Sequence, residues 1–384
     1  MRLFTLVVFL LAPAVTVSAA DDVASRSIAA IKSVDREGKN NEDAGTAWKA
    51  LVGEGAAALL PTLAAIDDAQ PIAANWLRTA AGAIAEGEVK AKQPLPAAKL
   101  EAFAKNVKFA GSARAIAYEL LAAQDARAPE RLLPGFLNDP SNELRRLAVA
   151  AELDKLKASP TKAGFEKLLP FARDPDQFEA IAKKLDNDYQ TKVNLNEHFA
   201  LIAQWQVIGP FLSQEGKALK LRHRPEDKVE FAEKLKGKGD KEVAWAAFIS
   251  REKYAWVDFN KALGKNHDAA GYAAAVLIAE KATPVEVRLG SPNALQVFLN
   301  GKKLFEREEY HHGATMDYHI GKGELKAGPN VLLVKICQNN QRDAWAQSWQ
   351  FQARICDATG APLSGVLQSI GDKKIKLGSV LDSK

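Results

Sequence analysis

From residue 25 to about 190 the apolar positions recur every three to four residues, Ala and Leu dominate, and almost nothing alternates like a strand. That rhythm gathers hydrophobic side chains on one stripe of a helix and predicts a helical first half. Near Leu195 the texture changes. A short helical stretch around His198 leads into the aromatic and β-branched run Gln204-Trp205-Gln206-Val207-Ile208, closed by Gly209-Pro210, and short strands between turn residues follow. Segments 272–279, 285–289, 295–299, 331–337 and 349–357 read as the best strands.

Within the last of these, Trp349, Phe351, Ala353 and Ile355 share one face, while Gln350, Gln352 and Arg354 share the other. The expectation is an antiparallel sandwich with one face in the core and the other wet. Asn300-Gly301 is a two-residue hairpin signal, because both positions tolerate positive φ. Lys326 to Asn330 reads as another turn, and Gly321-Lys322-Gly323 as a simple turn.

The helical half carries a repeat. Pro61, Pro96, Pro134 and Pro170 follow Leu-rich runs at intervals of roughly 36 residues, the spacing of stacked helix pairs. Arg78, Arg114 and Arg146 open Ala-rich segments in a similar register, and Arg145 stands beside the third. Between paired helices, Asn138-Asp139-Pro140-Ser141 and Arg173-Asp174-Pro175-Asp176 break one helix and start the next. Their Asp or Ser side chains can accept from free N–H groups, and Pro needs no donor partner there. Such an array offers an extended surface that suits a protein partner, with Arg78, Arg114 and Arg145 as candidate contact residues. An irregular helical bundle is the alternative reading.

The chain starts with Met1-Arg2, an apolar run over 3–15, small residues up to Ala20 and then Asp21-Asp22. This is the pattern of a secretory signal peptide over 1–20, and it predicts an exported protein in the periplasm or outside the cell. A retained membrane anchor is the alternative, but the run is shorter than the ~20 residues of a spanning helix. The domain expectation is therefore a helical array over 21–194, a β-sandwich over 195–365 and a tail over 366–384. With 47% hydrophobic and 26% charged residues the chain has the material for packed cores.

A formal charge of +5, spread among many Lys and Glu, argues against nucleic-acid binding, and the basic run 234–241 is Gly-broken and reads as solvated loop. The two cysteines, Cys337 and Cys356, fall near the downstream ends of successive strands, which in a hairpin would hold them some ~20 Å apart and unbonded. A different strand order would remove that argument.

Several residues could carry chemistry. His311, His312, His319 and Asp317 cluster within nine positions, but adjacent imidazoles on an extended segment point apart, so no metal or other cofactor is expected. Packing through Tyr310 and Tyr318 is the plainer role of this stretch. Glu306, Glu308 and Glu309 sit among Lys and Arg and read as a solvated edge rather than a hydrolytic pair. No nucleophile elbow, nucleotide loop or zinc-protease helix occurs, so the expectation is a protein without catalytic activity.

Trp205, Trp256 and Trp349 lie in strand-like runs and read as core. Trp345 lies in a polar connection with Asn340 and Arg342, at an end of the sandwich where loops gather. A ring there can stack on a sugar while polar groups bond its hydroxyls, so Trp345, Arg342, Asn340, Tyr310 and His311 form the candidate ligand set, with a glycan as candidate ligand. A Trp that closes the end of the sandwich is the structural alternative.

Two resemblances add to this reading. The segment 132–153, Leu-Leu-Pro-Gly-Phe-Leu-Asn-Asp-Pro-Ser-Asn-Glu-Leu-Arg-Arg-Leu-Ala-Val-Ala-Ala-Glu-Leu, resembles a HEAT-type repeat. The ordered motifs Trp205-x-Val-Ile-Gly-Pro-Phe211, Tyr254-Ala-Trp-Val-Asp-Phe-Asn260, Val297-Phe-Leu-Asn-Gly-Lys-Lys303 and Trp349-x-Phe-x-x-Arg-Ile-Cys-Asp357 resemble the galactose-binding-like jelly roll. The combination is similar to a family of secreted HEAT-repeat proteins of planctomycete bacteria. The resemblance implies a fold class, a helical repeat array followed by an antiparallel jelly-roll sandwich. It implies no activity. Two functions follow as expectations: a binding or scaffold protein, or a carbohydrate-binding accessory of polysaccharide breakdown.

Overall fold

The computed structural model describes residues 19–35, 37–213 and 216–381, with side chains from Val23 onward. The signal-peptide reading falls almost wholly on residues 1–18, outside the described residues. The chain divides into two compact units, Met1–Ala148 and Val149–Lys384.

The first unit is helical: α1 (Ala19–Lys32), α2 (Asn41–Gly53), α3 (Ala56–Ala64), α4 (Pro71–Lys90), α5 (Ala97–Lys105), α6 (Gly111–Gln124), α7 (Ala128–Leu132) and the start of α8 (Asn142–Ala158). Consecutive helices pack as pairs, α1 on α2, α3 on α4 and α5 on α6, and α3 also meets α6. The repeated prolines serve different local ends. Pro61 lies inside α3, Pro96 stands immediately before α5, and Pro134 sits in a short 3-10 turn over Leu133–Phe136. The expected cap at the start of α8 is present, since Ser141 Oγ accepts from Leu144 N at 3.3 Å. Ala80, Ala81, Ala113, Ala117 and Ala148 are buried, and their small side chains let the helices approach closely.

The second unit begins within α8 and continues through α9 (Lys162–Leu168), α10 (Pro175–Tyr189) and α11 (Leu195–Phe199). These helices thus fall in the same compact unit as the strands, upstream of the change in sequence texture near 195. Glu179 on α10 accepts from Lys253 Nζ at 2.7 Å and from Tyr254, and Phe178 packs on Phe199 at 5.1 Å between ring centres.

The strands are β1 (Gln204–Leu212), β2 (Lys234–Lys236), β3 (Glu242–Ala244), β4 (Ala246–Ile249), β5 (Val257–Asp258), β6 (Ala269–Ala279), β7 (Thr283–Gly290), β8 (Ala294–Leu299), β9 (Lys302–Arg307), β10 (His319–Leu325), β11 (Gly328–Gln338), β12 (Gln350–Cys356), β13 (Val366–Ile370) and β14 (Lys373–Lys376). Short helices α12 (Arg224–Asp227) and α13 (Phe259–Leu263) interrupt them. An eight-stranded sheet runs β14-β13-β6-β11-β8-β9, with β1 also against β6 and β4 beyond β1. A four-stranded sheet runs β10-β7-β12-β5, and β2 pairs with β3 as a separate hairpin. All the pairings are antiparallel.

Between the two large sheets lies a core that includes Trp205, Leu277, Val287, Leu295, Val334, Trp349, Phe351 and Ile355. The architecture is helices first and an antiparallel β-sandwich afterwards, and the Asn300-Gly301 hairpin is present with φ of 53° and 77°. Four expectations need correction. Gly321 and Gly323 belong to β10, where a Cβ on Gly321 would stand 2.1 Å from the Phe305 ring, so the glycine makes room for that ring. Residues 366–376 are no tail, because β13 and β14 extend the large sheet. The run 234–241 is a hairpin strand and its turn, with Lys234 paired to Glu242 at 2.8 Å and Lys236 to Asp240 at 2.9 Å.

The fourth concerns the face of β12 expected to be wet. Arg354 is 1% and Gln352 3% exposed. Arg354 reaches Asp317 through Nε at 2.7 Å and Nη2 at 2.5 Å, and Arg288 on β7 bonds the same carboxylate at 2.8 Å and Glu286 at 2.7 Å. Burial alone would push the Asp317 carboxyl up, but hydrogen bonds and charge from Arg354 and Arg288 outweigh it and hold it below its ordinary range. Cys337 and Cys356 are both free and buried. They stand in different sheets rather than in the hairpin that the spacing suggested, and burial pushes the Cys337 thiol up to about 12.

Candidate functional site

Trp345 is 64% exposed and lines a cleft of about 260 Å³ with Trp256, Pro292, His311, His312, Ala314, Ser348 and Gln350. Four chain segments bring these residues together. Trp345 sits in a 3-10 turn, Ala344–Ala346, that closes as Ala346 N donates to Asp343 O at 2.9 Å. The His311 ring meets Trp345 edge to face, with centres 5.3 Å apart and planes at 84°. His311 Nε2 lies 2.9 Å from Asn339 Oδ1, so Asn339 orients the ring that braces the indole.

Trp256 forms a second aromatic element and is half-buried here rather than core, a correction to the strand-run reading. Tyr254 and Ala255 precede it with φ of 60° and 52°, and His311 has φ of 57°. Left-handed backbone at non-glycine residues costs about 1–2 kcal/mol each, and three such residues flank this one cleft. Ser250 Oγ donates to Trp256 O at 2.5 Å and fixes the turned segment. His312 stacks on Tyr318 with centres 5.0 Å apart and closes the far side.

The structure brings together two of the five candidate ligand residues, Trp345 and His311. Arg342 and Asn340 line a separate polar depression with Lys238, Lys265, Asn266, His267 and Asp268. Tyr310 points toward the outer face of the large sheet, where its hydroxyl donates to Gly216 O at 3.3 Å and burial pushes its pKa up. The left-handed backbone at His311 turns the chain between them, and Tyr310 and His311 serve different places. Nothing in the sequence marks Gln350, Ser348 and Pro292 as cleft residues. Trp256 carried one signal, its polar surroundings at Arg251-Glu252-Lys253, but the Val257-Asp258-Phe259 run that follows outweighed it.

Other titratable groups are accounted for by packing. Among the described residues no three His, Cys, Asp or Glu side chains form a group that could hold a metal ion. Glu306 bonds Lys303 and Gln296, Glu308 lies 3.4 Å from Lys220, and Glu309 lies 3.8 Å from His312. Lys335, fully buried in β11, donates to Leu219 O, Leu221 O and Glu226 Oε1, while Tyr272 donates to the same carboxylate at 2.6 Å. A lysine within the apolar run Val331-Leu-Leu-Val-Lys-Ile is the visible sign of this pair.

Of the three candidate partner arginines, Arg78 is exposed. Arg114 and Arg145 are each 1% exposed and cannot present to a partner. Arg114 grips Asp139 through Nη1 at 2.8 Å and Nη2 at 2.6 Å, and Arg145 donates to Asp139 O at 2.8 Å and Asn142 Oδ1 at 2.5 Å. Among the described residues no helix is long and apolar enough to cross a membrane.

No protein-family model matches the chain, and no curated protein sequence matches it. Among solved structures, a β-glucosidase from Kluyveromyces marxianus in complex with glucose aligns at 13% identity and TM-score 0.25, over 39% of this chain and 16% of that one. An anti-sigma factor domain-containing protein aligns at 13% identity and TM-score 0.24, over 46% of each chain. A GH31 α-xylosidase from Xanthomonas citri aligns at 11% identity and TM-score 0.15, over 24% of this chain and 12% of that one. The chain therefore spans less than half the length of each of these proteins, and at such TM-scores the alignments carry no argument about family or activity.

Proposed function

We propose that the chain is an exported, non-catalytic binding protein whose β-sandwich, of the galactose-binding-like jelly-roll type, takes a glycan at the Trp345–Trp256 cleft, while its HEAT-like helical array holds a protein partner. The observation that carries the glycan reading is the Trp345 indole, 64% exposed on the wall of a concave site and braced by His311. An indole left in water loses the burial that ordinarily stabilises it, and a sugar ring offers the C–H face that restores it. The Gln350 amide, Ser348 hydroxyl and His312 imidazole supply donors and acceptors for sugar hydroxyls. A volume of about 260 Å³ suits a terminal sugar residue rather than a long chain.

No carboxylate lines this cleft among the described residues, whereas glycoside hydrolysis ordinarily employs two placed across the scissile bond. That supports binding without cleavage, the role of an accessory to polysaccharide breakdown. Export rests on the apolar run over 3–15 and the small residues before Asp21. On the helical side, Arg78 is the exposed one of the three candidate partner arginines and marks the face proposed for the protein partner.

A glycan array probed with the mature chain tests the glycan assignment. Wild type binds a defined set of glycans, and Trp345→Ala and Trp256→Ala each abolish binding with the circular dichroism unchanged. Absence of any glycan signal from wild type, or Trp345→Ala binding like wild type, overturns it.

A further inference from the structure

The polar depression that holds Arg342 and Asn340 has a volume of about 400 Å³, within the ~300–1,000 Å³ of small-molecule sites. Three segments of the second unit wall it. The turn between β2 and β3 supplies Lys238, the connection from α13 to β6 supplies Lys265, and the loop after β11 supplies Arg342. The three are tied to one another. Lys238 Nζ donates to His267 O, Asp268 N donates to Asn339 O at 2.7 Å, and Gln341 N donates to Asn339 Oδ1 at 3.1 Å.

The cations of this depression lack the carboxylate partners that their neighbours have. On the same hairpin as Lys238, Lys234 pairs with Glu242 and Lys236 with Asp240. Lys238 itself bonds a backbone carbonyl, and among the described residues Lys265 and Arg342 bond no acceptor. Asp343, next to Arg342, accepts from Gln341 Nε2 at 3.2 Å instead. Asp268 does stand in the lining, but its Oδ1 accepts from Gly216 N at 2.8 Å. Three cations around one engaged carboxylate repel one another, and an incoming anion relieves that repulsion. Apart from the His267 imidazole, the lining carries no aromatic or aliphatic residue, which selects a ligand with a polar body.

We propose that this depression binds the phosphate monoester of a small polar molecule. Such a group carries a charge of about −1.5 to −2 at pH 7 and three acceptor oxygens, which matches three cations set against one carboxylate. The planar Arg342 guanidinium suits two of those oxygens as a fork, and Lys238 and Lys265 act as point charges. A sulfate ester or a carboxylate brings a single charge and leaves one cation unbalanced. The site is separate from the Trp345 cleft and does not depend on the glycan reading.

Methyl phosphate and methyl sulfate, alike in shape and different in charge, test the proposal when titrated by calorimetry into the full chain at pH 8 and low salt. Methyl phosphate binds saturably and at least about fivefold more tightly than methyl sulfate, the lower bound set by one added charge at contact distance in water. Arg342→Gln and Lys265→Gln, both at exposed positions, each weaken methyl phosphate at least about fivefold, while Lys302→Gln, an equal loss of charge on β9, leaves its affinity unchanged. No saturable binding by wild type, equal affinity for the two probes, or equal losses in Arg342→Gln and Lys302→Gln overturns the proposal. Co-sedimentation with phosphatidic acid vesicles that is lost in Arg342→Gln also overturns it, by assigning the phosphate to a lipid headgroup.

Discussion

Replacing Arg114 by Met keeps most of the side-chain volume and removes the cation that Asp139 faces in the helical unit. Arg114 makes two bonds to the Asp139 carboxylate and a third, through Nε, to Ala104 O at 2.9 Å. Asp139 is 7% exposed, and without Arg114 its carboxylate keeps the Ser141 N–H at 2.8 Å among its donors but no arginine. Summing three charge-assisted bonds at about 1.5–3 kcal/mol each overstates the loss, because folding also desolvated the guanidinium. Stranding one partner of a buried pair costs about 3–5 kcal/mol instead, which lowers hydrogen-exchange protection by roughly two to three and a half orders of magnitude. Exchange mass spectrometry on the full chain should show that loss in peptides covering 97–124 and 128–148. Arg114→Met combined with Asp139→Asn should recover more than half of it, since no anion is then stranded. A loss under tenfold in the single variant, or no recovery in the double, would refute the assignment of Arg114 as an internal tie.

Three further outcomes follow from the second unit. Burial, opposed by the bond from Nε2 to Ala172 O at 2.7 Å, lowers His198 from 6.5 to about 4, so the unfolded chain takes up this proton first. Its contribution is complete above pH 6.5 and is lost as pH falls toward 4, by up to about 3 kcal/mol, and melting curves of His198→Gln should lack that acid-side decline. Lys335→Met strands Glu226 and should cost about 3–5 kcal/mol, visible as faster limited proteolysis within 216–245, with partial rescue by Glu226→Leu in the same chain. Gly321→Ala drives a methyl into Phe305 and should lower the urea midpoint by an amount worth about 1–3 kcal/mol.

The order of the fold was legible because hydrophobic period is a local property. The β12 residues Trp349, Phe351, Ala353 and Ile355 all turn to the core as their alternation requires. What alternation cannot show is whether the other face is covered. Arg354 and Gln352 look like solvent-facing residues until Asp317, far away in sequence, closes over the arginine. Arg114 and Arg145 illustrate the same limit, for a recurring arginine marks a register without saying whether its charge meets water or a buried aspartate. In the cleft, Trp345 stood out as an aromatic in a polar connection. Trp256 did not, because two left-handed residues turn it out of an apparent strand and no local pattern announces them. Gln204 and Gln368 are 164 positions apart and meet only through their shared neighbour β6.

Saturation-transfer NMR between the protein and a glycan selected on the array reads the Trp345 cleft most directly. Saturation should reach the sugar C–H protons of one terminal residue in wild type and vanish in both Trp345→Ala and Trp256→Ala, while Arg342→Ala, in the neighbouring depression, leaves it intact. Transfer that persists without either indole, or that is lost only with Arg342, would contradict an aromatic sugar site in this sandwich.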